Sequence, residues 1–141
     1  MLKPMQLHKT GQENYKILLV EDHHYLRETT HEILADEGYQ VTTTTCGEAA
    51  LEALSSRDFD MVVTDLNLGT VNGISVLKKA KELNPATKVI IMTGNADVRF
   101  VIEALRYNAS DYILKPFNLN DLLDRVSHCI EKPSLLGLNY S

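Results

Sequence analysis

The sequence predicts an α/β fold: a doubly wound (βα)5 domain, in which a five-stranded parallel sheet is covered by helices on both faces. Two observations predict it. Short apolar runs rich in β-branched residues alternate five times with longer segments whose apolar residues recur at helical spacing. The runs are apolar at consecutive positions, as in strands buried on both faces, and such parallel strands need crossovers that place helices above and below the sheet.

The elements follow in order. The first run, I-L-L-V at residues 17–20, stops at Glu21-Asp22, and Leu26, Ile33 and Leu34 mark the helix after it. Gly38 is placed to end that helix, because glycine readily takes the left-handed conformation of a helix C-terminus. The second strand is a weaker, threonine-rich stretch at 41–45, followed by a helix on Ala50, Leu51 and Leu54. Residues 61–63 supply the third strand and Ile74, Leu77 and Ala80 the third helix. Asn84-Pro85 closes it, since the residue before a proline avoids helical geometry. Residues 89–92 form the fourth strand, and Val98, Val101, Ile102 and Leu105 line the fourth helix. Residues 112–114 form the fifth strand, and Leu119, Leu122, Leu123, Val126 and Ile130 line the fifth helix. These last two helices keep the i, i+3, i+4, i+7 pattern closely, and Pro133 blocks further extension. Residues 15–131 therefore read as one domain between tails at 1–14 and 132–141.

With 141 residues and 44% hydrophobic content, the chain suits a single core. Its 14 Lys and Arg against 19 Asp and Glu leave a net charge of -5, which argues against a phosphate backbone as partner and so against direct nucleic-acid binding. Cys46 and Cys129 lack C-x-x-C or metal-ligand spacing and read as free thiols of a reducing compartment. The first residues contain no apolar signal core, and no apolar stretch reaches the ~18 residues of a membrane span. A soluble cytoplasmic protein without a membrane partner is the expectation.

In open α/β sheets ligands bind beyond the carboxyl ends of the strands, so the residues found there matter most. The first strand ends in Glu21-Asp22, the third in Asp65, the fourth in Thr93 and the fifth in Lys115-Pro116. Three carboxylates, a hydroxyl and an ammonium converge on one rim. Clustered carboxylates invite a hard divalent cation, and Mg²⁺ is commonly held by one or two carboxylates, waters and a phosphate oxygen. Asp65, at the end of a central strand, is suited to act as nucleophile toward a phosphoryl group. Lys115 can pair with it and with the incoming anion, and Thr93 can hydrogen-bond a phosphoryl oxygen beside the small Gly94.

From about Tyr15 to Glu131 the chain resembles the receiver domains of two-component response regulators, on the strength of I-L-L-V-E-D, M-V-V-T-D-L-N, V-I-I-M-T-G-N and D-Y-I-L-K-P-F. The resemblance implies that Glu21 and Asp22 are the acidic metal-binding pair, Asp65 the phosphoacceptor, Thr93 the switch hydroxyl, Tyr112 the switch aromatic and Lys115 the pocket lysine. It implies that the backbone carbonyl of Asn67 completes the Mg²⁺ site, that the strands lie in the order 2-1-3-4-5, and that the Lys115-Pro116 bond is cis. It also implies a sensor histidine kinase or histidine phosphotransfer protein as donor. The output is expected on the face of the fourth helix, fifth strand and fifth helix, toward a homodimer mate or an output domain. Arg99, Glu103, Arg106, Asp111, Asp121 and Arg125 are the charged residues expected to be exposed on that face. Such a protein is a switch that loses its phosphoryl group slowly, not a turnover enzyme.

Three positions depart from the pattern. The first acid is Glu21 rather than Asp, Gly69 stands where many receivers have Pro and suggests a more mobile loop, and Ser110 replaces one of the acids that often precede the switch aromatic. His23-His24 and Asn95 have competing readings, as metal ligands or solvated loop residues and as a pocket-entrance residue or a loop cap. An aspartate-nucleophile, Mg²⁺-dependent phosphohydrolase is the main alternative function, although such enzymes carry D-x-D and here Asp65 is followed by Leu66-Asn67. A flavin or dinucleotide module fits poorly, since acids rather than a G-x-G-x-x-G turn follow the first strand.

Overall fold

A computed structural model of the chain describes residues 14–94 and 97–131. Nearly all of the two expected tails, Pro133 and Asn95 lie outside the described residues. The elements run β1 (Lys16–Val20), α1 (His24–Asp36), β2 (Gln40–Thr44), α2 (Gly47–Ser56), β3 (Met61–Asp65), α3 (Gly73–Leu83), β4 (Lys88–Thr93), α4 (Val98–Arg106), β5 (Asp111–Leu114) and α5 (Leu119–Glu131). All strand pairs are parallel, in the order β2-β1-β3-β4-β5.

The consecutive apolar runs have the burial that they predicted. Ile17, Leu18, Leu19 and Val20 are all fully buried because successive side chains enter opposite layers. Leu18, Val20, Val62 and Ile91 meet Ala50 and Leu54 of α2, Ile74, Leu77 and Ala80 of α3, and Ala104 of α4. Ile17, Leu19, Met61, Val63, Ile90 and Met92 meet Leu34 of α1 and Leu122, Val126 and Cys129 of α5. Each fully buried aliphatic side chain contributes roughly 1.5–3 kcal/mol, so these two layers hold the strand ends in fixed register. Cys46 and Cys129 are both free thiols. Among the described residues, no helix is long and apolar enough to cross a membrane.

Helix boundaries follow local chemistry. The Asn72 side chain accepts from the N–H groups of Ile74 and Ser75, at 2.9 and 3.1 Å, and starts α3. Gly38 takes a φ of 103° just beyond α1, as its position predicted. Two strands run further than their apolar residues. Asp65 pairs with Met92 in the β3–β4 ladder and is the last residue of β3, while Thr93 is the last of β4. The fourth helix differs from its apolar pattern: it buries only Ala104, leaves Val101 half-buried, and exposes Val98, Ile102 and Leu105 by 63%, 50% and 66%. An apolar stripe has the same periodicity whether it covers a core or faces outward.

Candidate functional site

The rim above the central strands gathers Glu21, Asp22, Asp65 and Lys115 at one point. Glu21, immediately after β1, is fully buried, and its backbone N–H donates to the Thr44 carbonyl at 3.1 Å. One carboxylate oxygen accepts from Lys115 Nζ at 2.9 Å and the other from the His23 N–H at 3.0 Å. Asp65 is 5% exposed, and its Oδ2 lies 3.3 Å from Lys115 Nζ. Lys115 thus bridges two acids and is closer to Glu21, a pairing that the sequence reading did not include. Asp22 is exposed, yet one oxygen from each of the three carboxylates fits within 4.8 Å of the others.

The backbone of Asp65 is tightly held. The next residue, Leu66, donates its N–H to the Met92 carbonyl at 2.8 Å, and Thr64 Oγ1 donates to the Asp65 carbonyl at 2.9 Å. Gly73 begins α3 against that carbonyl: a Cβ at this position would stand 2.4 Å from the Asp65 oxygen. Only glycine allows the helix to start this close to the acid.

The electrostatics show an excess of negative charge. Burial pushes the Asp65 carboxyl above its ordinary value, against the charge and hydrogen bond of Lys115 and a hydrogen bond from the Asn67 N–H. Burial also pushes the Glu21 carboxyl up, against its bonds from Lys115 and His23. Burial alone would pull Lys115 down, but the hydrogen bond to Glu21 and the charges of Asp65 and Glu21 outweigh it and raise its pKa. One ammonium cannot neutralise three carboxylates. The all-oxygen donor set and the uncompensated charge fit a hard dication such as Mg²⁺.

The other expected site residues lie around this centre. Thr93 is fully buried, and its carbonyl accepts from the Lys115 N–H at 2.7 Å. Gly94 is exposed and leaves the space beside Lys115 open. Tyr112 is half-buried against the α2–α4 layer. Among the described residues its buried hydroxyl has no hydrogen-bond partner, and burial, then the Asp97 charge, raises its pKa. Asn67 is exposed two residues beyond Asp65, an amide where a D-x-D hydrolase would have its second acid. The Lys115-Pro116 bond is cis.

The rings of His23 and His24 are not part of the carboxylate cluster. His23 Nδ1 accepts from the Leu26 N–H at 3.4 Å and caps α1, whereas His24 Nδ1 lies 3.1 Å from Arg27 Nη2. Gly69 has a φ of 92°, a conformation closed to the proline found there in many receivers. Ser110 is tied into the sheet, its N–H donating to the Val89 carbonyl at 2.7 Å and its Oγ accepting from the Val89 N–H at 3.1 Å. Of the six charged residues expected on the output face, Arg99 and Arg106 are exposed, and Arg99 pairs with Asp97 at 2.7 Å. The others are partly covered and paired internally: Arg125 with Asp111 at 3.0 Å and Asp121 at 3.5 Å, and Glu103 with Lys78 at 3.8 Å. Arg27, which the sequence reading passed over, donates to the carbonyls of Glu21 and Asp22 at 3.0 and 3.4 Å.

The family model of the response regulator receiver domain matches residues 17–127, most of the chain. The chain belongs to that family. Receiver domains are signalling modules of response regulators, and the acidic pocket of this one, Glu21, Asp22 and Asp65, has the composition typical of Mg²⁺ binding. The receiver is 37% identical over 110 residues to the transcriptional regulatory protein ZraR of Escherichia coli O157:H7, covering 78% of this chain and 25% of ZraR. The chain thus spans only a quarter of that relative's length. Among solved structures it matches a CheY-like receiver domain from Methanospirillum hungatei with a TM-score of 0.78 and 32% identity, covering 81% of this chain and 91% of the other. It also matches the response regulator TrrA of Thermotoga maritima, crystallised with Mg²⁺ and BeF, with a TM-score of 0.74 and 28% identity, covering 82% and 99%.

Proposed function

We propose that this receiver takes a phosphoryl group onto Asp65 from the phosphohistidine of a sensor histidine kinase or a histidine phosphotransfer protein in the cytoplasm. The observation that carries the reading is the convergence of three carboxylates within 4.8 Å, with Lys115 bridging Glu21 and Asp65. An Asp65 oxygen forms the new bond to phosphorus as the donor's P–N bond breaks and the imidazole leaves. Glu21, Asp22, Asp65 and the Asn67 carbonyl would hold Mg²⁺, which supplies charge neutralisation for the phosphoryl oxygens. Lys115 exchanges part of its pairing with Asp65 for a phosphoryl oxygen, and the Thr93 hydroxyl turns toward another. Tyr112 follows, and water later hydrolyses the acyl phosphate slowly. The TrrA complex with Mg²⁺ and BeF supports this reading by likeness.

The signal leaves through α4, β5 and α5. Val98, Ile102 and Leu105 form an exposed stripe on α4, and Leu114 of β5 is 50% exposed. Beside them an open groove of about 710 Å³ runs along β5 and α5, lined by Tyr112, Leu114, Pro116, Asn120, Asp121 and Arg125. This surface suits a homodimer mate or an output domain, as in a transcriptional regulator of the ZraR kind. Intact-mass measurement after incubation with a small-molecule phosphodonor and Mg²⁺ tests the acceptor: the wild type gains one phosphoryl adduct and Asp65→Asn gains none. An equal adduct on the variant would remove Asp65 from the role.

A further inference from the structure

The three carboxylates are not positioned in the same way. Glu21 is fixed through both oxygens, by Lys115 and by the His23 N–H. Asp65 is fixed by the β3–β4 ladder, by Lys115 and by the Asn67 N–H. Asp22 is exposed, and among the described residues its carboxylate has neither a hydrogen bond nor an ion pair. Its place is therefore set by its backbone alone. That backbone is gripped by one guanidinium: Arg27 Nη1 donates to the Glu21 carbonyl at 3.0 Å and to the Asp22 carbonyl at 3.4 Å, while Nη2 lies 3.1 Å from His24 Nδ1. The Arg27 side chain is only 13% exposed; its bond to the Glu21 carbonyl is partly buried, its bond to the Asp22 carbonyl lies at the surface, and its Nε stands 3.8 Å from Glu28. It also spans the turn between β1 and α1, because Arg27 sits in the first turn of α1 and donates its own N–H to the His23 carbonyl at 2.9 Å.

We propose that Arg27 is a positioning residue for Asp22, and that it makes the acidic site select Mg²⁺ over larger dications. Mg²⁺ demands near-ideal octahedral geometry at about 2.1 Å, whereas Ca²⁺ accepts longer and irregular contacts, so a loosened ligand penalises the smaller ion more. The charge of Arg27 acts in the opposite sense. A cation beside the site repels either dication alike, so removing it strengthens both to a similar degree. The ratio of the two affinities therefore separates positioning from charge, and global destabilisation does not move it. Lysine keeps the charge but has one nitrogen, so it cannot hold the two carbonyls as Nη1 does while a second nitrogen stays on His24 Nδ1 as Nη2 does.

The inference rests on the reading of Glu21, Asp22 and Asp65 as the cation site. Calorimetric titration of the full chain with Mg²⁺ and, separately, with Ca²⁺ tests it on the wild type, Arg27→Lys and Arg27→Met, with no phosphodonor present. The expected result is a fall of about tenfold in the ratio of Mg²⁺ to Ca²⁺ affinity in both variants, seen in Arg27→Lys as a loss of Mg²⁺ affinity itself, the scale seen when a group orienting a metal ligand is removed. In Arg27→Lys, which keeps the charge, Ca²⁺ affinity should change by less than about threefold, given its tolerance of geometry. Equal shifts for both ions, or no shift, in folded Arg27→Lys would overturn the positioning role while leaving the cation site intact. Absence of Mg²⁺ binding by the wild type would overturn the site reading and this inference together. Should Arg27→Met not fold, the lysine variant alone decides.

Discussion

Helices α3 and α4 are consecutive, lie on the same face of the sheet and are both amphipathic, yet they are held very differently. α3 buries Gly73, Ile74, Val76, Leu77 and Ala80. Its first turn is capped by Asn72 and seated on the Asp65 carbonyl, and at its far end Lys81 Nζ donates to the carbonyls of Thr87 at 2.6 Å and Pro85 at 3.3 Å. α4 buries Ala104 alone and turns three aliphatic side chains outward. Lys78 of α3 tethers it, 3.8 Å from Glu103 and 4.6 Å above the Tyr107 ring. The contrast separates two jobs. The helix that abuts Asp65 is built into the core, and the one that follows the Thr93 strand is held by fewer buried side chains.

This contrast can be broken by mutation. The largest effect is expected from Leu77→Ala on α3, where a fully buried side chain leaves a cavity; denaturant unfolding should show a loss of about 2–5 kcal/mol. A loss no greater than that of an exposed position would show that α3 is not the scaffold. Lys78→Ala comes next. It removes a contact over an aromatic face and a partly exposed ion pair, so stability should fall by about 0.5–1 kcal/mol, with hydrogen exchange in α4 rising more than in α3. Equal exchange increases in both helices would mean that Lys78 supports the layer rather than tethering α4. The smallest effect belongs to Leu105→Ser, at a site 66% exposed, where unfolding should shift by no more than about 0.5 kcal/mol. A loss comparable to that of Leu77→Ala would mean that the α4 stripe is part of the core.

Much of the fold was legible because parallel strands between two helix layers leave a plain mark. The four apolar runs that became β1, β3, β4 and β5 lie within two residues of their expected ends, and even the threonine-rich β2 forms, as an edge strand of intermediate burial. The rim was legible for a related reason: topology fixes which residues end the strands, so Asp65, Thr93 and Lys115 could be placed together before any coordinates. What sequence could not give was pairing. Lys115 reaches Glu21 as well as Asp65 because a longer acid at position 21 folds inward and is fully buried, which depends on three-dimensional reach. Arg27 was missed because a basic residue in a first helical turn usually reads as a solvated charge; its only signal was standing five residues after Asp22. That the α4 stripe faces outward was not legible, because periodicity records that a face is apolar and not what covers it.

The seat of Gly73 on the Asp65 carbonyl also bears on how this chain can diverge. A methyl group there would meet backbone atoms of Asp65 and Leu66 at 2.4 and 2.9 Å, and neither can rotate away as a side-chain tip could. A substitution at position 73 must therefore be absorbed by moving the start of α3 or the peptide that carries Asp65. Position 69 also needs glycine's conformational range, but open space surrounds it. In a library of random variants selected only for folding, position 73 should therefore remain glycine even where Asp65 itself has been replaced. The mark that such selection leaves at this glycine would report steric fit, with no chemistry of its own.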